Sequence, residues 1–159
     1  MPLEFLEPLF KWCDETFIGQ WMRGGTWEFP IVETIHILAL ALLIGVMVVI
    51  DLRLMGVMMR GWTVAGLSRE LMPYFNWSLA IILVTGILLY LSEAMKAFTN
   101  AAFWVKVYML LVALVFHFTV VRKVTKADEV SPGIGWTVGL TSLVLWVGIG
   151  WAGRAIGFV

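Results

Sequence analysis

Two histidines are the side chains in this sequence best suited to ligand or proton chemistry. His36 and His117 each lie in a long apolar stretch. Imidazole is a common haem and metal ligand, and it titrates near neutral pH. Glu33 precedes His36 by three residues, so the two share one helical face. Lys106 precedes His117 by eleven residues, about three helical turns, and points the same way. We expect two inward polar stripes, although either histidine alone is also compatible with a hydrogen-bonded core residue.

Further polar residues in the apolar stretches fall into two layers when consecutive helices run antiparallel. A polar side chain inside a membrane span is costly, so each is a candidate functional residue. The outer layer contains Glu33, His36, Glu93, Lys106 and Arg154. The inner layer contains Asp51, Arg53, Asn76 and His117. Asp51 and Arg53 have an alternative structural role, as a lock that fixes the first span at the membrane boundary.

Haem b is the cofactor that two histidines in a helical bundle suggest first. The predicted depths of His36 and His117 differ by about 10 residues, or about 15 Å of helical rise. Two axial ligands of one iron lie at similar depth, so a single haem shared by both histidines is disfavoured. Two haems with one histidine each would need other sixth ligands, for which the nine methionines are available.

A single metal ion is the alternative cofactor, and the protein binding no cofactor is a third possibility. Glu33-x-x-His36 has the spacing found in carboxylate-bridged metal bundles, and Glu93 is the other carboxylate expected at that depth. The expected metal ligands are therefore Glu33, His36 and Glu93. The same charges also suit plain interfacial ion pairs, Glu33 with Lys106 and Glu93 with Arg154. No P-loop, HExxH motif or nucleophile elbow occurs, so no catalytic residue is predicted and enzymatic activity is left open.

The amino-acid composition indicates which class of protein contains these candidate residues. Of 159 residues, 61% are apolar and 14% are charged, with a mean hydropathy of +0.93. Soluble domains contain about 45–50% apolar and about 25% charged residues, so the chain is predicted to be an integral membrane protein. Its net charge of zero argues against a nucleic-acid partner. The single cysteine, Cys13, excludes an intramolecular disulfide.

Four apolar stretches are long enough to span a membrane, which takes about 20 residues. They cover about 30–55, 73–95, 101–122 and 133–155. Short connections favour an all-α, up-down four-helix bundle over residues 26–159. Residues 1–25 are predicted to form an amphipathic interfacial helix, because apolar and charged positions follow helical spacing. Pro30, Pro73 and Pro132 are expected in first helical turns, where a missing N–H costs nothing.

The basic residues predict the orientation of the bundle in the bilayer. Segments 52–72 and 122–131 together carry a net charge of +3, whereas the first 29 residues carry −3. The positive-inside rule places the two basic segments in the cytoplasm. We therefore expect a multi-pass protein of the bacterial inner membrane with both termini in the periplasm.

A run of motifs in the first span resembles an uncharacterised bacterial family of small membrane proteins. The motifs are Trp27-x-x-Pro30-x-x-Glu33-x-x-His36 and Asp51-Leu-Arg53-Leu-Met-Gly56. Further similar positions are Pro73, Thr85-Gly86, Phe103-x-x-Lys106, His117 and the tail from Ser142 to Arg154. This resemblance implies a four-helix membrane fold and no particular activity. The first span also resembles, more distantly, copper-resistance protein D and four-helix haem-b membrane proteins, which implies haem binding.

These observations favour a small redox-associated membrane protein. It would be a haem-b electron carrier or the membrane anchor of a periplasmic redox partner, with Glu33 and Lys106 orienting the histidine ligands. Proton or metal-ion conduction through the two polar layers is the alternative. A structural subunit of a larger complex, or a homo-oligomer, is the third interpretation. Gly135-x-x-x-Gly139 and Gly153-x-x-x-Gly157 would then be helix-packing faces.

Overall fold

The computed structural model describes residues 4–127 and 129–158, and this part of the chain is helical without any strand. The α-helices in chain order are α1 (Glu7–Asp14), α2 (Phe17–Gly24), α3 (Glu28–Leu54), α4 (Val64–Ser92), α5 (Ala94–Thr99), α6 (Ala101–Phe116), α7 (Arg122–Val124) and α8 (Pro132–Ala155). A π-helical turn, His117–Val121, joins α6 to α7. Short 3-10 turns lie at Glu4–Leu6 and Ile156–Phe158.

Four of these segments are long and apolar enough to cross a membrane. They are Glu28–Leu54, Val64–Ser92, Ala101–Val124 and Pro132–Phe158. The structure therefore confirms the all-α fold with four spanning helices. We call the bundle end with the 93–100 connection and the C-terminal end of α8 the terminal side. The opposite end, with the 55–63 and 125–131 connections, is the loop side.

The second span differs from the sequence prediction at its start. It begins at Val64, nine residues before the expected position, because Thr63 caps the helix by accepting a hydrogen bond from the Gly66 amide at 3.0 Å. Pro73 therefore lies inside α4 rather than in its first turn. The prediction was wrong because it began the span after the charged residues Arg69 and Glu70. Both side chains are exposed on α4, so they do not interrupt the helix.

The N-terminal segment forms two short helices instead of one. The first ends at Asp14, and Thr16 caps the second, since its hydroxyl oxygen accepts a hydrogen bond from the Gly19 amide at 3.2 Å. Arg23 of α2 donates to the carbonyl of Ser92 at the end of α4, at 2.8 Å. The ring of Phe10 in α1 packs in an aromatic cluster with Tyr90, Phe98 and Trp104. Both helices thus cover the terminal side.

Close packing of α8 on α3 holds the loop side together. A Cβ atom on Gly139 would lie 2.8 Å from the backbone carbonyl oxygen of Asp51, and one on Gly135 would collide with that of Leu54. The two glycines therefore let the helix backbones meet. Gly135-x-x-x-Gly139 is a helix-packing face, as its spacing suggested, but it packs within one chain.

Aromatic rings connect α4 to the third span. Tyr90 stacks on Phe103 with ring centroids 5.8 Å apart, near the terminal side. Phe75 stacks on His117 with centroids 4.0 Å apart, in the loop-side half. Between these two levels lies an apolar layer of buried side chains. This layer contains Leu43, Met47, Leu79, Ile82, Ala113 and Ile149.

Candidate functional site

His36 is held in one orientation by a hydrogen bond between two spans. Its Nδ1 lies 2.8 Å from the Thr85 hydroxyl oxygen, and its side chain is buried. The Thr85 hydroxyl donates its single proton to the backbone carbonyl of Ile81 at 2.6 Å. With the Thr85 proton on Ile81, Thr85 accepts from His36, and the nearby carbonyl of Ile82 also favours a donor on the imidazole. We therefore assign the proton of the neutral ring to Nδ1. This network assigns the free lone pair of His36 to Nε2.

Residues of the other three spans lie at the same level as His36. Gly86 leaves room for the imidazole, since a Cβ atom there would lie 3.3 Å from His36 Cε1. Lys106 interacts electrostatically with His36. The Lys106 ammonium in turn lies beside Gly153 of α8, 3.4 Å from the position that a Cβ atom would take. We call His36, Thr85 and Lys106 the terminal-side site.

The acidic residues expected beside His36 lie elsewhere. Glu33 is exposed, because a separation of three residues turns a side chain about 60° around a helix. Glu93 forms an ion pair with Lys96 at the start of α5. Within residues 4–127 and 129–158, no three His, Cys, Asp or Glu side chains come together as a metal site. The structure thus does not bring Glu33, His36 and Glu93 into one ligand set.

The expected outer ion pairs are also not formed among the described residues. Glu33 makes no ion pair with Lys106, and Glu93 makes none with Arg154. The Arg154 guanidinium instead lies over the ring of Phe158, 4.6 Å from its centroid. Arg154 is exposed at the terminal side, where its charge reaches solvent or headgroups.

Asp51 is fully buried on the loop-side half of α3. Neither of its carboxylate oxygens has a hydrogen-bond partner in the described part of the chain. The hydroxyl of Ser142 on α8 lies close to this carboxylate without making a well-formed hydrogen bond, and it is unpartnered too. Arg53 does not pair with Asp51, because side chains two residues apart diverge on a helix. Its Nε donates instead to the carbonyl of Trp62 at 2.7 Å.

His117 is the second buried imidazole, and it opens the π-helical turn of the third span. Its ring lies on Phe75 and edge-on to Trp146, with centroids 4.0 and 6.3 Å away. Neither ring nitrogen has a hydrogen-bond partner among the described residues. Trp146, which contacts the His117 ring, follows Ser142 by one helical turn on α8, so His117 lies about one turn along α8 from the neighbouring Asp51 and Ser142. We call these three residues the loop-side site.

The two sites lie at different depths. His36 contacts α4 at Thr85 and His117 contacts it at Phe75, ten residues apart, or about 15 Å of helical rise. The apolar layer lies between them, and the buried hydroxyl of Ser78 at this level donates to the Tyr74 carbonyl of its own helix. Asn76, expected in the inner layer, is exposed on the outside of α4 and belongs to neither site.

Thr85 and Ser142 are site residues that the chemical reading of the sequence missed. Both occurred among the positions similar to the uncharacterised family, but a hydroxyl in an apolar helix usually bonds to its own backbone. Thr85 does so as well as bonding to His36. Whether the Thr85 hydroxyl bonds only to its own helix or also to His36 depends on how α3 packs against α4.

The chain belongs to the family of unknown function DUF6644, whose match covers residues 9–159. This supports the resemblance to an uncharacterised family, and it carries no likeness to copper-resistance protein D or to haem proteins. Among curated proteins and among solved structures, no match to the chain was found. The function must therefore be argued from the two buried sites.

Proposed function

For this member of DUF6644, we propose a small redox-associated membrane protein in which His36 binds haem b through Nε2. The observation that carries the proposal is the hydrogen bond from His36 Nδ1 to Thr85. Histidines that ligate metals commonly donate their other ring N–H to a fixed acceptor, which sets the tautomer and the orientation of the ring. Thr85 is such an acceptor, because its own proton is committed to Ile81.

Two neighbours of His36 are compatible with this role. Gly86 removes the side chain that would otherwise press against the imidazole edge. Lys106 supplies a cation near His36, and a haem propionate is the type of anion that would pair with it. Haem supplies one-electron chemistry when bound, and the residues of this chain orient its ligand and balance its charge.

We propose His117 as the ligand of a separate group. Phe75 covers one face of the His117 ring, but the lone pair of an imidazole lies in the ring plane, so this stacking does not itself block ligation. Both ring nitrogens are buried, so a ligand would have to displace the side chains at the ring edge. A buried histidine whose two ring nitrogens have no partner in residues 4–127 and 129–158 is unusual, and binding of a ligand is one reason for a protein to keep it. The difference in depth of about 15 Å argues against one iron shared with His36.

The direct test is the visible absorption spectrum of protein purified from haem-replete cells, oxidised and then reduced with dithionite. We expect a Soret band and sharp bands on reduction. His36→Ala should remove the chromophore bound at the terminal-side site, whereas Glu33→Gln, at an exposed position one turn away, should leave it intact. A colourless wild-type preparation would contradict the proposal.

We also propose an inner-membrane location with the terminal side facing the periplasm, where a redox partner or a second copy would dock. The net positive charge of segments 52–72 and 122–131 supports this orientation. The terminal-side site would then lie in the half of the bilayer that a periplasmic partner can approach.

Proton or cation conduction is a second candidate, favoured by the loop-side site. Buried carboxylates in membrane proteins commonly mark ion or proton pathways, and both oxygens of Asp51 are buried without a hydrogen-bond partner among the described residues. Proton flux into liposomes that contain the purified protein tests this function. Asp51→Asn should abolish the flux if conduction is correct, whereas Glu70→Gln, at an exposed position of α4, should not change it.

A further inference from the structure

A small pocket with two arginines lies on the loop side, where α3 ends and α4 begins. It has a volume of about 280 Å³. We call it the loop pocket. Arg53 and Arg60 line it together with Trp62, Thr63 and Val64. It is separate from the loop-side site, since Asp51, Ser142 and His117 do not line it.

Both arginines are fixed in a way that leaves most of their donors free. Arg53 donates from Nε to the carbonyl of Trp62, and Arg60 donates from Nε to the carbonyl of Gly56, each at 2.7 Å. A guanidinium has five N–H donors in a rigid fork, so the terminal N–H groups of each remain for a ligand. Within the described residues neither arginine forms an ion pair.

The backbone adds to the positive character of the loop pocket. Thr63 and Val64 begin α4, a helix of 29 residues, and the first amides of a helix have no intrahelical acceptor. Gly56 and Met59 adopt positive φ angles of 71° and 53°. These turns fold the 55–63 connection back so that Arg60 lies near the end of α3.

The surface around the loop pocket indicates which anion would reach it. Exposed apolar side chains lie on the 55–63 connection, which also carries Arg60. They are Val57, Met58, Met59 and Trp62. An apolar rim beside a pair of guanidinium groups matches the boundary of a bilayer, where acyl chains meet charged headgroups. A free phosphate ion gains no binding energy from these apolar side chains.

We propose that the loop pocket binds the phosphate group of an anionic phospholipid. Arginine suits phosphate because its planar fork forms parallel charge-assisted hydrogen bonds. The exposed apolar side chains of the 55–63 connection then lie among the acyl chains of the same lipid. This binding site is independent of haem or ion conduction, and it fixes the junction between α3 and α4 at the membrane surface.

The test is a lipid titration of the full-length protein in a neutral detergent, followed by native mass spectrometry. Phosphatidylglycerol and phosphatidylcholine of equal chain length are titrated separately, and inorganic phosphate is added as a third arm. The variants are Arg60→Gln, Arg60→Lys and the control Arg69→Gln. Arg69 is an exposed arginine of α4 that does not line the loop pocket. Far-ultraviolet circular dichroism shows that each variant retains its helices.

We expect phosphatidylglycerol to bind at least tenfold more tightly than phosphatidylcholine. Arg60→Gln should weaken that binding by about tenfold, equivalent to about 1.4 kcal/mol, and Arg60→Lys should weaken it less. Arg69→Gln should change it by less than about twofold, and millimolar phosphate should compete only weakly. Equal binding of the two lipids, or an equal loss in Arg69→Gln, would overturn the proposal. Phosphate binding as tight as phosphatidylglycerol binding would assign the pocket to a free anion and overturn it too.

Discussion

The hydrogen bond between His36 and Thr85 can be isolated by replacing Thr85 with valine, which keeps the shape and removes the acceptor. Interhelical side-chain hydrogen bonds in membrane proteins average about 0.6 kcal/mol and reach about 1.7 kcal/mol. A buried donor left without a partner costs about 1–3 kcal/mol. We therefore expect Thr85→Val to lower the free energy of unfolding by about 1–2 kcal/mol, measured by reversible unfolding in mixed micelles.

The chain contains a matched control for this change. Thr34 of α3 donates to the carbonyl of Pro30 at 2.7 Å, the same bond within a helix that Thr85 makes to Ile81, but Thr34 is exposed. Thr34→Val removes that bond without leaving a buried histidine unpaired, so it should change stability by less than about 0.5 kcal/mol.

The assigned tautomer gives a second readout of the same bond. Nitrogen-15 NMR of His36 should show a proton on Nδ1 in the wild-type protein and a loss of this preference in Thr85→Val. Equal stability losses in the Thr85 and Thr34 variants, or a wild-type proton on Nε2, would refute the assignment. The ligand role proposed for Nε2 would then lose its support.

Three further predictions follow from packing, burial and charge. Asp51→Asn should raise the free energy of unfolding, because it replaces a buried carboxylate without a partner by a neutral group of the same shape; a loss of stability would mean that the carboxylate is satisfied. Gly139→Ala should destabilise by about 1–3 kcal/mol through overpacking, while Gly45→Ala, where a Cβ atom meets open space, should be neutral or stabilising. A reporter that is active only in the cytoplasm should be silent when fused after Val159, and activity there would reverse the proposed orientation.

The spanning helices were predictable because a helix that crosses a membrane needs one continuous run of apolar residues, which can be read directly from the sequence. Long apolar runs with few charges admit no other fold, since every backbone group must be satisfied within the bilayer. The ends of the runs were less predictable. Val64 rather than Pro73 begins the second span, because the helix is capped at Thr63 and continues through the exposed charged residues Arg69 and Glu70.

The sites were predictable only in part, because a sequence gives spacing along a helix but not the direction in which the helix is rotated. His36 and His117 are both buried, yet Glu33 is exposed although it is one turn from His36. The rotation depends on how α3 meets α4 and α8, through contacts such as Gly139 against Asp51. The π-helical turn at His117 left no signal in the spacing of apolar residues.

The apolar layer between the two sites separates the candidate functions on physical grounds. A proton moves along a chain of hydrogen-bonded groups or ordered waters. The buried side chains at this level include the apolar Met47, Leu79 and Ile82. The buried hydroxyl of Ser78 lies there too, but it donates to the Tyr74 carbonyl of its own helix. An electron needs no hydrogen-bonded chain and tunnels through packed apolar protein. In this conformation the interior therefore suits two electron-carrying sites better than one continuous proton path. Conduction would require water to enter the apolar layer, and Leu79→Asn should promote this. If the proton flux rises in this variant while the wild-type protein shows none, the apolar layer is the barrier to proton movement.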